Sequence, residues 1–589
     1  MSVARTRLRS RRTAVLVAGA VLAALVIAGV WVCVRGLMAK AELEDAQSLV
    51  GSLQQATAER ALPGEADLNV LALHTGRAAE LTGDPIWRAA EILPFVGPNL
   101  EAVRVVSAEM DHIVSDAVAP LLSAAQDLTG GFRAADGAID VEALERLQGP
   151  ASQARDVLDA AARRLEGVDA DAVVEPVGEG LARLGEVVAL LRPAVTTLDD
   201  ATALVPPVLG ADSPRTILVA LQNNAELRTG GGITGSFVEL TAEAGRLTMT
   251  AQADSSHFAS RDDDILAVPE SVTALYGDRV GRFVQNAAMA ADFELTAGLV
   301  SEWWRTLTGR TPDVVVSVDP LVLQAILRVT GPIQAAGQEF TPDELVPRLL
   351  IDPYMYLRAE VQSELFHEVA AAAFSRLTSA DVDLVALMTA LAEPVEQGRV
   401  SMWSAHEAEQ NVLERTILAG PAARQARAGD DAFAVYLNDA TGGKMDTFLE
   451  VAIGWGVADC RADDHRDIVV SVTLANRAPA DAASVFPPSM TGGGWYGVRP
   501  GDIATNVAVS APAGSFLAGV SVGNSASGSA EAQDAGFPVA AARVDLAPGE
   551  STTVDFRFVS ADPGDLTPVI LHTPMLQSPD IAQMPAACL

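Results

Sequence analysis

The sequence predicts a multidomain α+β protein: an N-terminal transmembrane helix, a helical-bundle stalk, a mixed α/β domain and a C-terminal immunoglobulin-like β-sandwich. Three observations predict it. An apolar run is unbroken from Ala14 to Val34, apolar stripes step by three and four as far as Val205, and the period becomes two after Lys444. The corresponding boundaries are a basic tail and anchor at 1–40, a stalk at 41–205, a central domain with a helical extension at 206–443, and a sandwich at 444–589.

The anchor rests on charge as well as length. Arg5, Arg7, Arg9, Arg11 and Arg12 precede the apolar run. Roughly 20 apolar residues rising about 1.5 Å each cross a hydrocarbon core, and an excess of basic residues marks the cytoplasmic flank. The chain therefore reads as a single-pass protein of the cell membrane, with a cytoplasmic N-terminus and an extracytoplasmic bulk. A cleaved secretory signal is the competing reading, with an apolar part of about 7 to 15 residues and a small-x-small site such as Ala39-Lys40-Ala41. Both readings export the bulk. Residues 1–40 hold seven basic and no acidic residues, so the formal charge of -35 becomes -42 beyond them. A surface that negative repels nucleic acid and anionic headgroups, which removes nucleic acid as a partner. Cys460 and Cys588 fall in the last segment, and an oxidising compartment favours a disulfide between them.

In the stalk, three stripes mark one face each of three helices: Leu100 to Leu121, Leu144 to Leu165, and Val177 to Leu198. Breaks at Gly130-Gly131, Gly149-Pro150 and Pro176 favour a bundle within one chain over a long coiled coil. The pattern changes at Pro206-Pro207. Thr216 to Leu221, Ser236 to Leu240 and Arg246 to Thr250 read as strands, the last two joined as a hairpin through Glu243-Ala244-Gly245. A helix over Phe283 to Leu307 leads to Val314 to Val318, a run suited to a strand buried on both faces, and then to a helix from Pro320 to Val329. More helices are expected between Pro342 and Arg427. Beyond Lys444, alternation at Leu449 to Val457, Ile468 to Leu474 and Val554 to Phe558 predicts the sandwich.

Three segments could carry chemistry. In Gln222 to Ser236, QNNAELRTGGGITGS, Gly230, Gly231 and Gly232 would let backbone amides approach a phosphate beside Arg228; a plain glycine-rich connection is the alternative. In Asp254 to Asp264, DSSHFASRDDD, Asp262 and Asp264 beside Arg261 and His257 could hold a hard divalent cation such as magnesium, or form a solvated surface. Asn286 could contact a ligand or cap a helix. No G-x-S-x-G or H-E-x-x-H signature is present.

QNNAELRTGGGITGSFVEL, together with Asp84 to Arg104 and Pro312 to Ile333, resembles the bacterial membrane-anchored family of domain of unknown function 4012. The chain is also similar to the LytR-CpsA-Psr phosphotransferases, which attach polyprenyl-linked glycopolymers to the cell wall. That similarity implies that Arg228 and Arg261 grip a pyrophosphate, Asp262 helps hold magnesium, and Asn286 lines a lipid-phosphate pocket. Gly235-Ser236 and Ala253-Asp254-Ser255 depart from that family's acidic positions. The expected function is a non-catalytic structural or interaction protein of the cell envelope. The alternative is a phosphotransferase or a binder of polyprenyl-pyrophosphate glycopolymers. Partners on these readings are the lipid bilayer and a cell-wall glycopolymer, a polyprenyl-phosphate lipid or other envelope proteins.

Overall fold

The computed structural model describes residues 2–58, 65–126, 133, 137–379, 382–523 and 525–588. They fall into two compact units, one of residues 1–131 and 142–205, the other of 132–141 and 206–589.

The first unit is helical. Its opening helix, Ser2–Ala58, contains a stretch, Leu16–Val50, long and apolar enough to cross a membrane, with an apolar window that nothing buries. Such a bare aliphatic surface is consistent with a single-pass membrane anchor, and a signal sequence has the same character. Helices follow at Glu65–Thr82, Gly97–His112, Val141–Glu166 and Glu175–Val208. The three stripes do meet: Val106, Ile113, Leu158, Ala161, Leu165, Leu181, Leu184 and Val188 share one core. Two expected interruptions are absent. The helix Val141–Glu166 passes through Gly149-Pro150, because Leu147, Ala151, Ala154 and Leu158 bury a continuous seam that outweighs the hydrogen bond Pro150 lacks. The last helix runs through Pro206-Pro207 and ends at Val208, so these prolines lie in its final turn, not before a new element. Pro176 lies in the first turn of that helix, where its missing N–H costs nothing. The expected break at Gly130-Gly131 lies outside the described residues.

The second unit begins with a mixed sheet. Strands β1 (Arg215–Asn223), β2 (Ile233–Glu243), β3 (Arg246–Asp254) and β4 (Val314–Val318) are followed by a short hairpin, β5 (Ile333–Ala335) and β6 (Gln338–Phe340), and by β7 (Val400–Ser404). The main sheet has the order β3-β2-β1-β4-β7; β1 and β4 are parallel, and the other neighbours are antiparallel. Because side chains alternate across a strand, the sheet sorts its residues between two destinations. Leu218, Ala220, Phe237 and Val315 join a core with Phe293, Trp303 and Trp304. Val219, Leu221, Val238, Val316 and Val318 face the other way, toward helices Pro320–Thr330, Pro342–Leu350 and Ala359–Leu377.

The expected helix from Phe283 is split. A 3-10 segment, Val284–Met289, gives way to extended chain, and Asp292 then caps the helix Phe293–Thr308 by accepting from the Glu294 amide at 2.9 Å. β7 interrupts the helices expected between Pro342 and Arg427.

Eleven further strands build two stacked sheets: β8 (Ala432–Asp439), β9 (Leu449–Ala458), β10 (Asp467–Asn476), β11 (Ile503–Ser510), β12 (Phe516–Val522), β13 (Ser525–Ala526), β14 (Ala530–Asp534), β15 (Phe537–Leu546), β16 (Ser551–Val559), β17 (Val569–His572) and β18 (Asp580–Gln583). One sheet runs β13-β12-β16-β10-β9-β18 and the other β14-β15-β11-β8-β17. Val435, Leu437, Val470, Val472, Val507, Phe556 and Phe558 fill the space between them. The outer face of the second sheet, through Ala434, Tyr436, Ala508, Val539 and Ala541, packs into the core of the mixed sheet. Every residue of β8 is therefore buried, and the strand lies upstream of the boundary that periodicity suggests at Lys444. Cys460 and Cys588 form a disulfide with a Cα separation of 5.6 Å.

Candidate functional site

The glycine-rich loop between β1 and β2 is interior. From Gln222 to Thr229 every residue is buried. Leu227 inserts into the core between the two stacked sheets. The backbone here is held by β8 and by the 3-10 segment Met445–Phe448 that precedes β9: the Leu227 amide donates to Asp446 Oδ2 at 2.7 Å, the Thr229 amide to Asn438 Oδ1 at 3.1 Å, and the Asp439 amide to the Leu227 carbonyl at 2.9 Å. Asn224 donates to Asp319 Oδ2 at 3.0 Å and to the Pro574 carbonyl at 3.1 Å, while Arg399 spans Asp319 and the Met575 carbonyl at 2.6 and 2.7 Å.

Charge in this clasp is matched internally. Glu226 sits between Arg228, at 3.0 Å, and the Lys444 ammonium. Burial by itself would raise the Glu226 carboxyl, yet the two cations hold it below its ordinary value. Burial and then the neighbouring Glu226 push Asp439 up to about 6, and burial with Asp439 pushes Asp446 well above the usual carboxylate range. Gly231 has φ of 126°, and a Cβ on Gly232 would lie 2.2 Å from the Asn223 carbonyl oxygen. Gly231 answers to its backbone conformation, and Gly232 to backbone crowding within the clasp.

Of the residues singled out by sequence, Arg228 and Asn286 are brought together. Arg228 Nη2 donates to Asn286 Oδ1 at 2.9 Å, so each occupies the other. Arg261, Asp262 and Asp264 lie on an exposed segment whose backbone bonds to Gly281 and Arg282; Asp264 pairs with Arg282 at 3.6 Å. Among the described residues no three His, Cys, Asp or Glu side chains gather as a metal site.

A cavity of about 990 Å³ opens on the other face of the mixed sheet. Its body is apolar, with Val219, Val238, Leu240, Met249 and Val316 on the sheet side and Ile326, Phe366, Ala370, Phe374 and Leu377 on the helix side. Polar residues collect where β1, β3 and β4 end. The register sets Ser236 opposite both Leu221 and Asp254, and Leu221 opposite Val318, so Gln222, Asn223, Ser236, Asp254 and Asp319 share one edge. Tyr354 joins them, accepting from Asn223 Nδ2 at 2.7 Å. Burial raises the Asp254 carboxyl, but the hydroxyls of Ser256 and Ser363 outweigh it and hold the group below its ordinary value. Ser256, His257, Glu360 and Glu364 are exposed and form the mouth. The result is a largely apolar chamber with polar residues along one sheet edge, of a size that suits small ligands.

Sequence reasoning reached this site through the ends of two of its segments, Gln222, Asn223, Gly235 and Ser236 in one and Asp254 to His257 in the other, but not through the helices that wall it. The available signal was the helix Ala359–Leu377, where Ala370 and Ala373 place small side chains beside Phe366 and Phe374 on the face that lines the cavity.

The family model described as protein of unknown function (DUF4012) matches residues 212–354, a span that includes β1 to β4, the clasp loop and one wall of the cavity. No curated protein matches the chain. Among solved structures, the crystal structure of protein gbs0355 from Streptococcus agalactiae is similar at 13% identity, over 36% of this chain and 76% of that one, with a TM-score of 0.24, too slight a likeness to carry any conclusion across.

Proposed function

We propose that this chain is a single-pass, membrane-anchored extracytoplasmic protein of the bacterial cell envelope that binds the apolar chain of a lipid without altering it chemically. The amphipathic cavity carries this reading. A chamber lined by aliphatic and aromatic side chains, closed by a polar edge, matches a molecule with a hydrocarbon tail and a polar head. The exposed apolar stretch Leu16–Val50, its basic flank and the Cys460–Cys588 disulfide support an anchored protein facing an oxidising compartment. Binding without turnover is favoured over phosphotransfer because Arg228 is engaged by Glu226 and Asn286, and Arg261, Asp262 and Asp264 are not among the residues that line the cavity.

Native mass spectrometry of the full chain, released from detergent, tests the reading. The expected result is a bound lipid on the unaltered protein and its loss in Ala370→Trp, whose indole would occupy the chamber. A folded protein that takes up no lipid from membrane extract, or an Ala370→Trp variant that retains it, would refute the proposal.

A further inference from the structure

The polar edge of the cavity constrains the head of the ligand. Lys444 is the one lysine or arginine among the described residues that line it, and its ammonium is already bound to Glu226. Arg399, behind Asp319, is spent on that carboxylate. Against these paired cations stand Asp254 at the edge and Glu360 and Glu364 at the mouth. His257 lies 3.5 Å from Asp254 on an exposed side chain. A phosphate entering here would lose its hydration, meet carboxylates, and find no free cation.

Among the described residues that line the cavity, two have a buried polar atom without a partner. Gln222 Oε1, on a side chain 3% exposed, and His367 Nε2 are both buried without a hydrogen bond, and both residues line the cavity. The amide oxygen can only accept, so its missing partner is a donor. A hydroxyl supplies one; a phosphate dianion has none. Buried polar groups left unpaired are costly, which makes Gln222 a marker for what the chamber is built to receive.

Resting on the lipid-binding reading, we infer that the ligand's head is uncharged and hydroxyl-bearing, a free alcohol or a neutral sugar on a long apolar chain, with its hydroxyl donating to Gln222 Oε1. Selection then works by exclusion: acidic groups at the mouth reject phosphorylated forms of the same chain.

The decisive comparison is a long-chain prenyl alcohol against its own monophosphate, titrated into the full-length protein in nanodiscs of neutral lipid, with EDTA present. The alcohol is expected to bind about tenfold tighter or better, the factor that accompanies each 1.4 kcal/mol of discrimination. Glu360→Gln with Glu364→Gln, both at exposed positions, should raise the monophosphate's affinity toward the alcohol's. Equal or tighter binding of the monophosphate, or a reversal of order when magnesium replaces EDTA, overturns the head-group assignment while leaving lipid binding intact. Failure of both compounds to bind, in a protein that remains folded, overturns lipid binding itself and the assignment with it.

Discussion

The clasp and the cavity are built on opposite plans, although Lys444 borders both. The clasp around Glu226, Arg228 and Lys444 packs charged groups into the interior and gives each cation a partner. The cavity has apolar walls and, in Gln222 Oε1 and His367 Nε2, buried polar atoms without a hydrogen bond. Alternation along β1 is enough to send Leu218 and Ala220 into the core with Trp303 and Trp304, and Val219 and Leu221 to the cavity. The lesson is that density of chemical residue types does not locate function. A cluster whose cations are all paired is architecture even where Asn224 Oδ1 and Asp446 Oδ1 lack a hydrogen bond, whereas an unpaired acceptor that lines a cavity can meet a ligand.

The sharpest way to break this contrast is Glu226→Ala. Removing one member of a buried ion cluster leaves Arg228 and Lys444 facing each other without compensation, which costs about 3–5 kcal/mol. Denaturant unfolding should show that loss as a lowered midpoint. If the cluster were instead a ligand-binding site, the variant would keep its stability and lose its ligand, and the division between clasp and cavity would fail.

Glycines sharpen it next. Gly232→Ala would drive a methyl group to 2.2 Å from the Asn223 carbonyl oxygen and 2.6 Å from the Asn224 nitrogen, both backbone atoms that cannot step aside. The expected cost is about 3 kcal/mol. Gly235→Ala, three residues on, meets nothing nearer than the Leu221 carbonyl oxygen at 3.9 Å and borders the cavity, so unfolding should be unchanged within about 0.5 kcal/mol. Equal effects at both positions would mean that the loop and the cavity edge are equally crowded.

How much of this was legible depends on whether one face or two are buried. Strand β4 is read to the residue from VVVSV, and the strands β9 and β10 from clear alternation. β8, AFAVYLND, shows no such pattern, because the stacked sheets bury one face and the mixed sheet the other. The helix boundary at Pro206-Pro207 misleads because proline also tolerates a last turn. For the site, the loop Gln222 to Gly232 is conspicuous in sequence, yet its partners Asn438, Asp439, Lys444 and Asp446 lie far along the chain and no local pattern announces them. The pairing of Arg228 with Asn286 is likewise a contact across 58 positions. A cavity is harder still, since it is written in what Ala370 and Ala373 leave out.

The subtlest test uses the opposite titration of interior and cavity edge. Asp534, the last residue of β14, is buried with Oδ2 unpartnered; burial pushes its carboxyl up to about 6, the Ala291 amide opposes this, and Asp292 adds to it. Below pH 4 the group is protonated in both folded and unfolded chains. Between pH 4 and 6 the folded chain holds the extra proton, so stability is fully present at the acidic end and is lost as pH rises through the folded value, by on the order of 2 kcal/mol. Asp439 acts in the same direction. Asp254, at the cavity, is held below its ordinary value, so its contribution is present at neutral pH and disappears on acidification. Asp534→Asn should therefore stabilise the protein at pH 7.5 and change nothing at pH 3.5, whereas Asp254→Asn should destabilise it at pH 7.5 with the difference shrinking toward pH 3. Difference curves from denaturant unfolding at several pH values would carry opposite slopes; parallel curves would mean that the sheet does not separate a strained, proton-holding interior from an edge arranged to keep its carboxylate charged.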